Sequence, residues 1–595
     1  MSMGVRETGG QSMGATTVRR WWKEAVVYQI YPASFMDGNG DGIGDLGGII
    51  GRLDYLQYVG VDTVWLCPIY ESPQVDNGYD ISDYYRIYSR FGTLEQFDEL
   101  LEGLHSRGMK LIMDLVVNHT SDRHQWFLES KKSKDNPYRH YYIWRPSAPH
   151  TGAKSGGAPP NNWLSFFEGS AWRYHEATGE YYLHLFAPQQ PDLNWENRAL
   201  REEIYKMMRW WLDRGIDGFR MDVINLISKD PSFPDSEGKS SARILGGEYF
   251  INGPNVLRYL HEMRREVLDR YDVMTVGETP DVSPEEGLDY VNEEDGPLDM
   301  LFQFEHMDLD MGEEGYWSVG DWSLVEMKRI LGNWQQKLQG SGWNSLYLNN
   351  HDQPRMVSRF GDDGEYRRES AKMLATLVHM LQGTPYIYQG EEIGMTNAAF
   401  PDISDYRDVA THNYFHRATE EEGKSIEEAM EVVRHRSRDN GRTPMQWDGS
   451  ANAGFTDGSP WIAVQSNHRE VNVEREIADP DSILHYYRRL IAIRRERPTV
   501  VYGGYEDLLP EDEALYLFRR IGEEEILYVF LNFSARTRRV PDHAIRPADG
   551  GTLVIANYAD AAQRLSVVVY GEREGADIGC ALRPFEARVY ATDSP

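Results

Sequence analysis

The sequence predicts an α/β chain built as a TIM-type (β/α)8 barrel, with an inserted subdomain after strand 3 and a C-terminal antiparallel all-β domain. Three observations carry this expectation. Eight short apolar runs alternate with amphipathic segments of helical period, one long stretch rich in Trp, Tyr, Asn, Gly and Pro interrupts the rhythm, and the end of the chain switches to period-two alternation.

The expected strands are Ala25–Tyr31, Thr63–Cys67, Lys110–Val117, Gly218–Met221, Val273–Gly277, Met300–Phe304, Ser345–Leu348 and Pro385–Tyr388. Helical patterns lie between most of them, at Leu94–Ser106, Arg201–Arg214, Val256–Arg270, Leu324–Leu338 and Tyr366–Leu381, and strands separated by such helices make parallel βαβ units. The interruption runs from Ser121 to Pro191, and a polar stretch follows the eighth strand. After a last helical pattern at Ile483–Arg497, the segments Ala514–Arg520, Ile526–Phe533, Thr552–Asn557 and Glu586–Ala591 alternate as half-buried strands do. The expected organisation is a loose N-terminus (1–20), a barrel in two parts (21–119 and 197–502), an inserted subdomain (120–196), a further subdomain after strand 8 (396–480) and a C-terminal β-sandwich (503–595).

Charge narrows the partners. The chain carries 62 Lys plus Arg against 94 Asp plus Glu, a formal net charge of −32, which repels phosphate backbones and anionic lipid and argues against nucleic acid. No run of about 18 apolar residues exists for a membrane span, and the first twenty residues hold no apolar stretch like that of a signal peptide, so a cytoplasmic, soluble protein is expected. Two cysteines, Cys67 and Cys580, make neither a disulfide framework nor a Cys-rich metal site. The 16 Trp, 36 Tyr and 20 Phe suit core packing and also surfaces that bind polyhydroxylated ligands.

In such a barrel, residues just past each strand line the active site. Here those positions are rich in chemistry: strand 3 ends in Asp114-Leu-Val-Val-Asn118-His119, strand 4 in Arg220-Met-Asp222, strand 5 in Gly277-Glu278, and strand 7 in Asn349-Asn350-His351-Asp352. Asp222, Glu278 and Asp352 would converge on one cavity, where burial and repulsion drive their pKa values apart, and Arg220 would orient Asp222 from the same face of its strand. A protonated carboxyl beside an ionised one is what glycoside hydrolysis needs, although a metal-assisted hydrolase would use the same groups.

The segments DLVVNHTSD, GFRMDVINLI, VGETP, NNHDQPR and QPDLNW resemble the ordered motifs of the α-amylase family, glycoside hydrolase family 13. Within it the resemblance is to oligo-1,6-glucosidases (isomaltases), dextran glucosidases and α-glucosidases, and it spans Trp21 to Tyr590, RDNGRTPMQWD at Arg438–Asp448 included. The resemblance implies Asp222 as nucleophile, Glu278 as general acid/base and Asp352 as the carboxylate that grips ring hydroxyls. It implies His119, Arg220 and His351 around the terminal glucose, and Asp76, Tyr79 and Arg438 closing the pocket behind it, so that the enzyme acts on chain ends. Val223, after the nucleophile, resembles the residue of α-1,6-acting members, and QPDLNW points the same way; Ala or Thr there would resemble α-1,4-acting ones. Phe166, Phe186 and Gln190 resemble the walls of the entrance. Glu391-Glu392 either reaches an acceptor sugar or anchors its loop.

No organic cofactor is expected. Asp37, Asn39, Asp41, Ile43 (by its carbonyl) and Asp45 place oxygens at alternate positions, as the start of an EF-hand loop does, but position twelve is Gly48 rather than Glu; a structural divalent cation, calcium or magnesium, is expected. The implied activity is that of a retaining, exo-acting α-glucosidase on a small oligosaccharide. The alternatives are an α-1,4-preferring α-glucosidase, a sucrose isomerase or transglucosylase on the same scaffold, and a non-catalytic transporter heavy chain, which the retained carboxylates and missing membrane anchor disfavour. Nothing in the sequence sets an oligomeric state.

Overall fold

The computed structural model describes residues 19–148, 157–238, 244–313, 315–541, 551–561, 564–565 and 581–594. Cys580 and residues 1–18 of the expected loose N-terminus lie outside them.

Eight parallel strands form one sheet: β1 Val27–Ile30, β2 Thr63–Leu66, β3 Lys110–Val116, β4 Gly218–Asp222, β5 Met274–Glu278, β6 Met300–Phe302, β7 Ser345–Leu346 and β8 Thr384–Tyr388. Their order is β6-β5-β4-β3-β2-β1-β8-β7, and a single parallel bridge, Leu301 to Asn344, joins the ends into a nearly closed barrel. β6 and β7 are shorter than their apolar runs, because the chain turns after Phe302 toward a 3-10 turn at Glu305–Asp308 and leaves the sheet after Leu346.

A helix follows each strand: α1 Leu53–Val59, α2 Leu94–Ser106, α3 Arg198–Arg214, α4 Val256–Glu266, α5 Pro284–Val291, α6 Leu324–Leu338, α7 Arg367–Met380 and α8 Ile483–Glu496. α2 shows why such segments are helical. Thr93 and Gln96 form a reciprocal cap at its start, and Phe97, Leu100, Leu101 and Leu104 make one buried stripe. α3 ends at Gly215, whose φ of 109° lies in the left-handed region that a helix C-terminus uses and a side chain resists.

Inside the barrel, Trp65 (β2), Phe302 (β6) and Tyr386 (β8) meet ring to ring at 4.6–6.2 Å between centroids. Arg220, from β4, lies 5.0 Å over Trp65. These are alternate strands filling one interior layer, as the barrel's stagger requires. Arg220 thus stands where the packed interior gives way to the site above it.

Between β3 and α3 the insertion forms a three-stranded antiparallel sheet of Trp144–Arg145, Glu180–Leu183 and Trp172–His175. Its return is pinned by a buried pair, Lys229 Nζ to Asp192 at 2.7 Å, with the same ammonium 2.7 Å from Asn118 Oδ1. Past α8, six antiparallel strands (Gly504–Asp507, Leu515–Ile521, Glu525–Asn532, Ala587–Asp593, Gly551–Ala556 and Arg564–Leu565) form the C-terminal sheet. Among the described residues no helix is long and apolar enough to cross a membrane.

Candidate active site

At the carboxyl end of the barrel lies a cavity of about 600 Å3, lined by Asp222, Glu278 and Asp352 together with Asp76, Tyr79, His119, Phe186, Val223 and Arg438. The parallel strands bring these residues together. β4 and β5 pair Met221 with Gly277, so Asp222 and Glu278 emerge as neighbours.

One guanidinium organises the floor. Arg220, 1% exposed, reaches Asp114 at 2.5 Å, Asp222 at 2.8 Å and Glu278 at 2.6 Å. A single positive charge among three carboxylates leaves the cluster with surplus negative charge, which favours keeping a proton on it. Burial pushes the Asp222 carboxyl up, opposed by Arg220 and reinforced by the neighbouring carboxylates. The Val223 N–H donates to Glu278 Oε2 at 3.0 Å, so the residue after Asp222 helps aim Glu278.

Asp352 has the opposite environment. Burial alone would raise its pKa, but His351, Arg438 and Arg442 overcome that and hold it well below the usual carboxylate range. Arg442 Nη2 reaches Asp352 Oδ1 at 2.7 Å, and His351 Nε2 lies 3.1 Å from Oδ2. The cavity therefore presents two carboxyls sharing one guanidinium on its floor and a fixed anion on its wall.

The far end is closed by side chains. Arg438 reaches Asp76 at 3.0 Å, Asp352 at 3.3 Å and Asp408 at 2.5 Å. Gln190 Nε2 donates to Asp76 Oδ2 at 3.1 Å and lies 3.3 Å from His119 Nε2. Burial holds the His119 imidazole below its ordinary value, so it is neutral at neutral pH and can accept or donate a hydrogen bond. Tyr79 stacks on His351 at 5.2 Å, and its OH donates to Asp114 Oδ2 at 3.2 Å. A pocket closed at its far end by hydrogen-bonded polar side chains suits the end of a hydroxyl-rich chain.

Of the expected entrance walls, Phe166 and Phe186 stack at 5.3 Å and both line the cavity, whereas Gln190, like Arg220 and His351 expected around the terminal glucose, stands behind the lining. Val223 is more than a β-branched residue in a strand. It sits past the end of β4 with φ of 35°, a left-handed conformation that a β-branched side chain adopts only under constraint. Sequence reasoning missed Arg442 and Asp408. Arg442 lies in the same RDNGR segment as Arg438, and Asp408 carries the N-cap pattern of the helix Val409–His416; neither has a local cue to its partner.

Two further segments contribute no side chain to the cavity lining. Glu391 and Glu392 lie outside the cavity lining: Tyr487 donates to Glu391 at 2.6 Å, and Tyr28 and Tyr55 both donate to Glu392 at 2.7 Å, so the pair anchors its loop. The Asp37–Asp45 loop closes on itself. Asp37 accepts from the N–H groups of Asn39, Gly40 and Gly42 and from Thr456 Oγ1, Asp45 from the N–H groups of Gly38 and Gly48, and Asp41 from Ile43 N–H and Arg90. These bonds set the backbone of the loop that carries Asp37, Asn39, Asp41, Ile43 and Asp45, and among the described residues no group of three or more His, Cys, Asp or Glu side chains is gathered as a metal site.

Comparison with known proteins agrees with this geometry. The oligo-1,6-glucosidase of Parageobacillus thermoglucosidasius is 57% identical, covering 97% of this chain and all of that protein. Among solved structures, the trehalose-6-phosphate hydrolase of Bacillus licheniformis superposes with a TM-score of 0.89 at 47% identity, covering 96% of this chain and all of that one. The isomaltulose synthase of Protaminobacter rubrum superposes with a TM-score of 0.89 at 42% identity, covering 97% and 100%. The pattern described as alpha amylase, catalytic domain, matches residues 29–503, a span that runs from within β1 past α8 and holds the three carboxylates, and the chain belongs to the α-amylase family of glycoside hydrolases.

Proposed function

We propose that this protein is an oligo-1,6-glucosidase, a retaining, exo-acting α-glucosidase that releases glucose from the non-reducing ends of isomaltose and short isomalto-oligosaccharides. The observation that carries the reading is the blind cavity with Asp222 and Glu278 sharing Arg220 on its floor. A glucosyl unit pushed against the Arg438–Asp76 end would have its anomeric carbon over those two carboxyls, and nothing behind it.

In this mechanism Glu278 gives its proton to the glycosidic oxygen as Asp222 attacks the anomeric carbon, forming a glucosyl ester and freeing the leaving sugar. Glu278, now a carboxylate, takes a proton from water, which attacks the same carbon and releases Asp222. Two inversions retain the α configuration. Asp352, kept anionic by Arg442 and Arg438, accepts from ring hydroxyls and strengthens those bonds as charge develops on the ring. The chemistry of this family needs no organic cofactor. A structural divalent cation in the Asp37–Asp45 loop belongs to the proposal on the spacing of its oxygens alone. A Tm lowered by EDTA and restored by calcium would support the cation; an unchanged Tm would leave the loop closed by its own N–H groups. The cytoplasm is the proposed location.

The test is glucose release from isomaltose, maltose and sucrose by the purified protein and by Asp222→Asn. Isomaltose is expected to be fastest, and the variant to lose at least about 10^4-fold while keeping its Tm. Faster maltose would overturn the linkage, isomaltulose from sucrose would overturn hydrolysis, and a variant that still turns over would overturn the nucleophile.

A further inference from the structure

Two loops that leave the barrel from β3 and β8 meet over the outer part of the cavity. From the insertion comes the turn Ser165–Gly169, closed by Ser165 N–H to Gly169 O at 2.9 Å and Glu168 N–H to Ser165 O at 3.1 Å. From the segment after β8 comes the helix Val409–His416, which passes into a π-helical turn at Arg417–Glu421. Asn413 Nδ2 donates to the Phe167 carbonyl at 3.0 Å, the Arg417 guanidinium bridges two carboxylates, forming an ion pair with Glu168 (Nε to Oε2, 3.0 Å) and donating from Nη1 to Glu422 Oε1, and the Arg438 guanidinium lies 4.9 Å from the Phe167 ring centre. Phe167, Glu168 and Arg417 all line the cavity.

Three features separate this contact from an ordinary surface ion pair. Glu168 is held at φ of 77°, a conformation that glycine or asparagine takes at less cost, so a carboxylate is kept there against the local backbone preference. Arg417 opens a π-helical turn, a rare element that frequently marks functional positions because it re-aims a side chain. Asp408, which caps the helix, is also the partner of Arg438 at the blind end, so helix, clasp and end wall form one connected frame. The side chains of Glu168 and Arg417 are each 31% exposed, whereas that of Asp76 at the blind end is 6% exposed, which puts the pair on the solvent side of the terminal glucose.

We infer that Glu168 and Arg417 form a clasp between the inserted and post-β8 segments that shapes the site for the leaving sugar, and so act as positioning residues for leaving-group selection. The inference rests on the reading of the protein as an exo-acting glucosidase. The clasp joins the Phe166-Phe167 turn to the helix on the opposite wall of the cavity. It bears on the departing sugar and not on the glucose that reacts.

The experiment compares Glu168→Gln, Arg417→Gln and the charge exchange Glu168→Arg/Arg417→Glu with the unaltered enzyme on isomaltose, isomaltotriose and α-glucosyl fluoride. The fluoride fills only the inner glucose site. Each single variant is expected to lose at least fivefold in kcat/KM on isomaltose, mainly through KM, to change the isomaltotriose-to-isomaltose ratio at least threefold, and to keep its fluoride kcat/KM within twofold; the exchange is expected to recover at least half of the loss. Isomaltose kinetics within twofold of normal, or equal losses on isomaltose and fluoride, would overturn the clasp. Should the unaltered enzyme cleave the fluoride and maltose but not isomaltose, the linkage reading fails separately, and the same variants compared on maltose and fluoride test the clasp.

Discussion

Replacing Arg220 by Met tests the organisation of the floor directly. The guanidinium is the common partner of Asp114, Asp222 and Glu278. Asp222 and Glu278 line the cavity, so water can partly replace the lost cation for them. Asp114 is fully buried and keeps only donors from Trp65 and Tyr79, so it sets most of the cost. Removing one partner of a buried pair costs about 3–5 kcal/mol, and one such loss is expected rather than three. With an unfolding entropy of roughly 2.1 cal/mol/K per residue, 595 residues translate that into a Tm drop of about 3 °C.

The loss depends on pH with a definite sign. Burial already raises the Asp222 carboxyl, and removing Arg220 removes the main influence that lowers it. A group raised in the folded state contributes its stability fully below its unfolded value, near 3.9, and loses it as pH rises through the folded value. The variant should therefore lie closer to the unaltered protein at pH 4.5 than at pH 7.5 in scanning fluorimetry. Its kcat/KM should fall at least about 100-fold, since the nucleophile loses its orientation. A Tm loss under 1 °C at pH 7.5, or an equal loss at both pH values, would refute the reasoning.

Further expectations concern groups away from that cluster. Glu391, pushed up to about 8 by burial, stabilises the fold when protonated; the Tm of the unaltered protein should fall from pH 6 to pH 9 by more than that of Glu391→Gln, and parallel profiles would count against this. Val223→Ala should lower the isomaltose-to-maltose ratio of kcat/KM roughly tenfold, the usual worth of a few buried carbons; an unchanged ratio in side-by-side kinetics would remove Val223 from the specificity argument.

The barrel was legible because its strands are apolar runs set apart by amphipathic helices, and α2 even displays its capping pair in the sequence. Asp222, Glu278 and Asp352 were legible because each follows such a run within a recognisable motif. Arg442 and Asp408 were not. They act on residues 90 and 30 positions away, through contacts that exist only once the segment after β8 folds back over the barrel, and no periodicity encodes such a return. The Asp37–Asp45 spacing was legible as a pattern, but the fastening of its loop was not: Gly42 sits against Ser459 and Asp37 accepts from Thr456, in a segment more than 400 residues on. The left-handed backbone at Val223 was equally invisible, since a valine after a strand gives no sign of it.

The single bridge between β6 and β7 gives the barrel a seam. β4 and β5 share four paired positions, whereas β7 pairs with β8 at only two, one of them facing Pro385, which has no N–H to donate. Amide hydrogen exchange should accordingly be fastest around β7 and slowest around β4 and β5, so the wall that bears Asp352 can breathe while Asp222 and Glu278 stay in register. Asp352 keeps its place through Arg442 and Arg438 rather than through the ladder beneath it. The part of the site that would grip the sugar is thus mechanically separate from the part that would break the bond, and the grip can be retuned without disturbing the pair that does the chemistry.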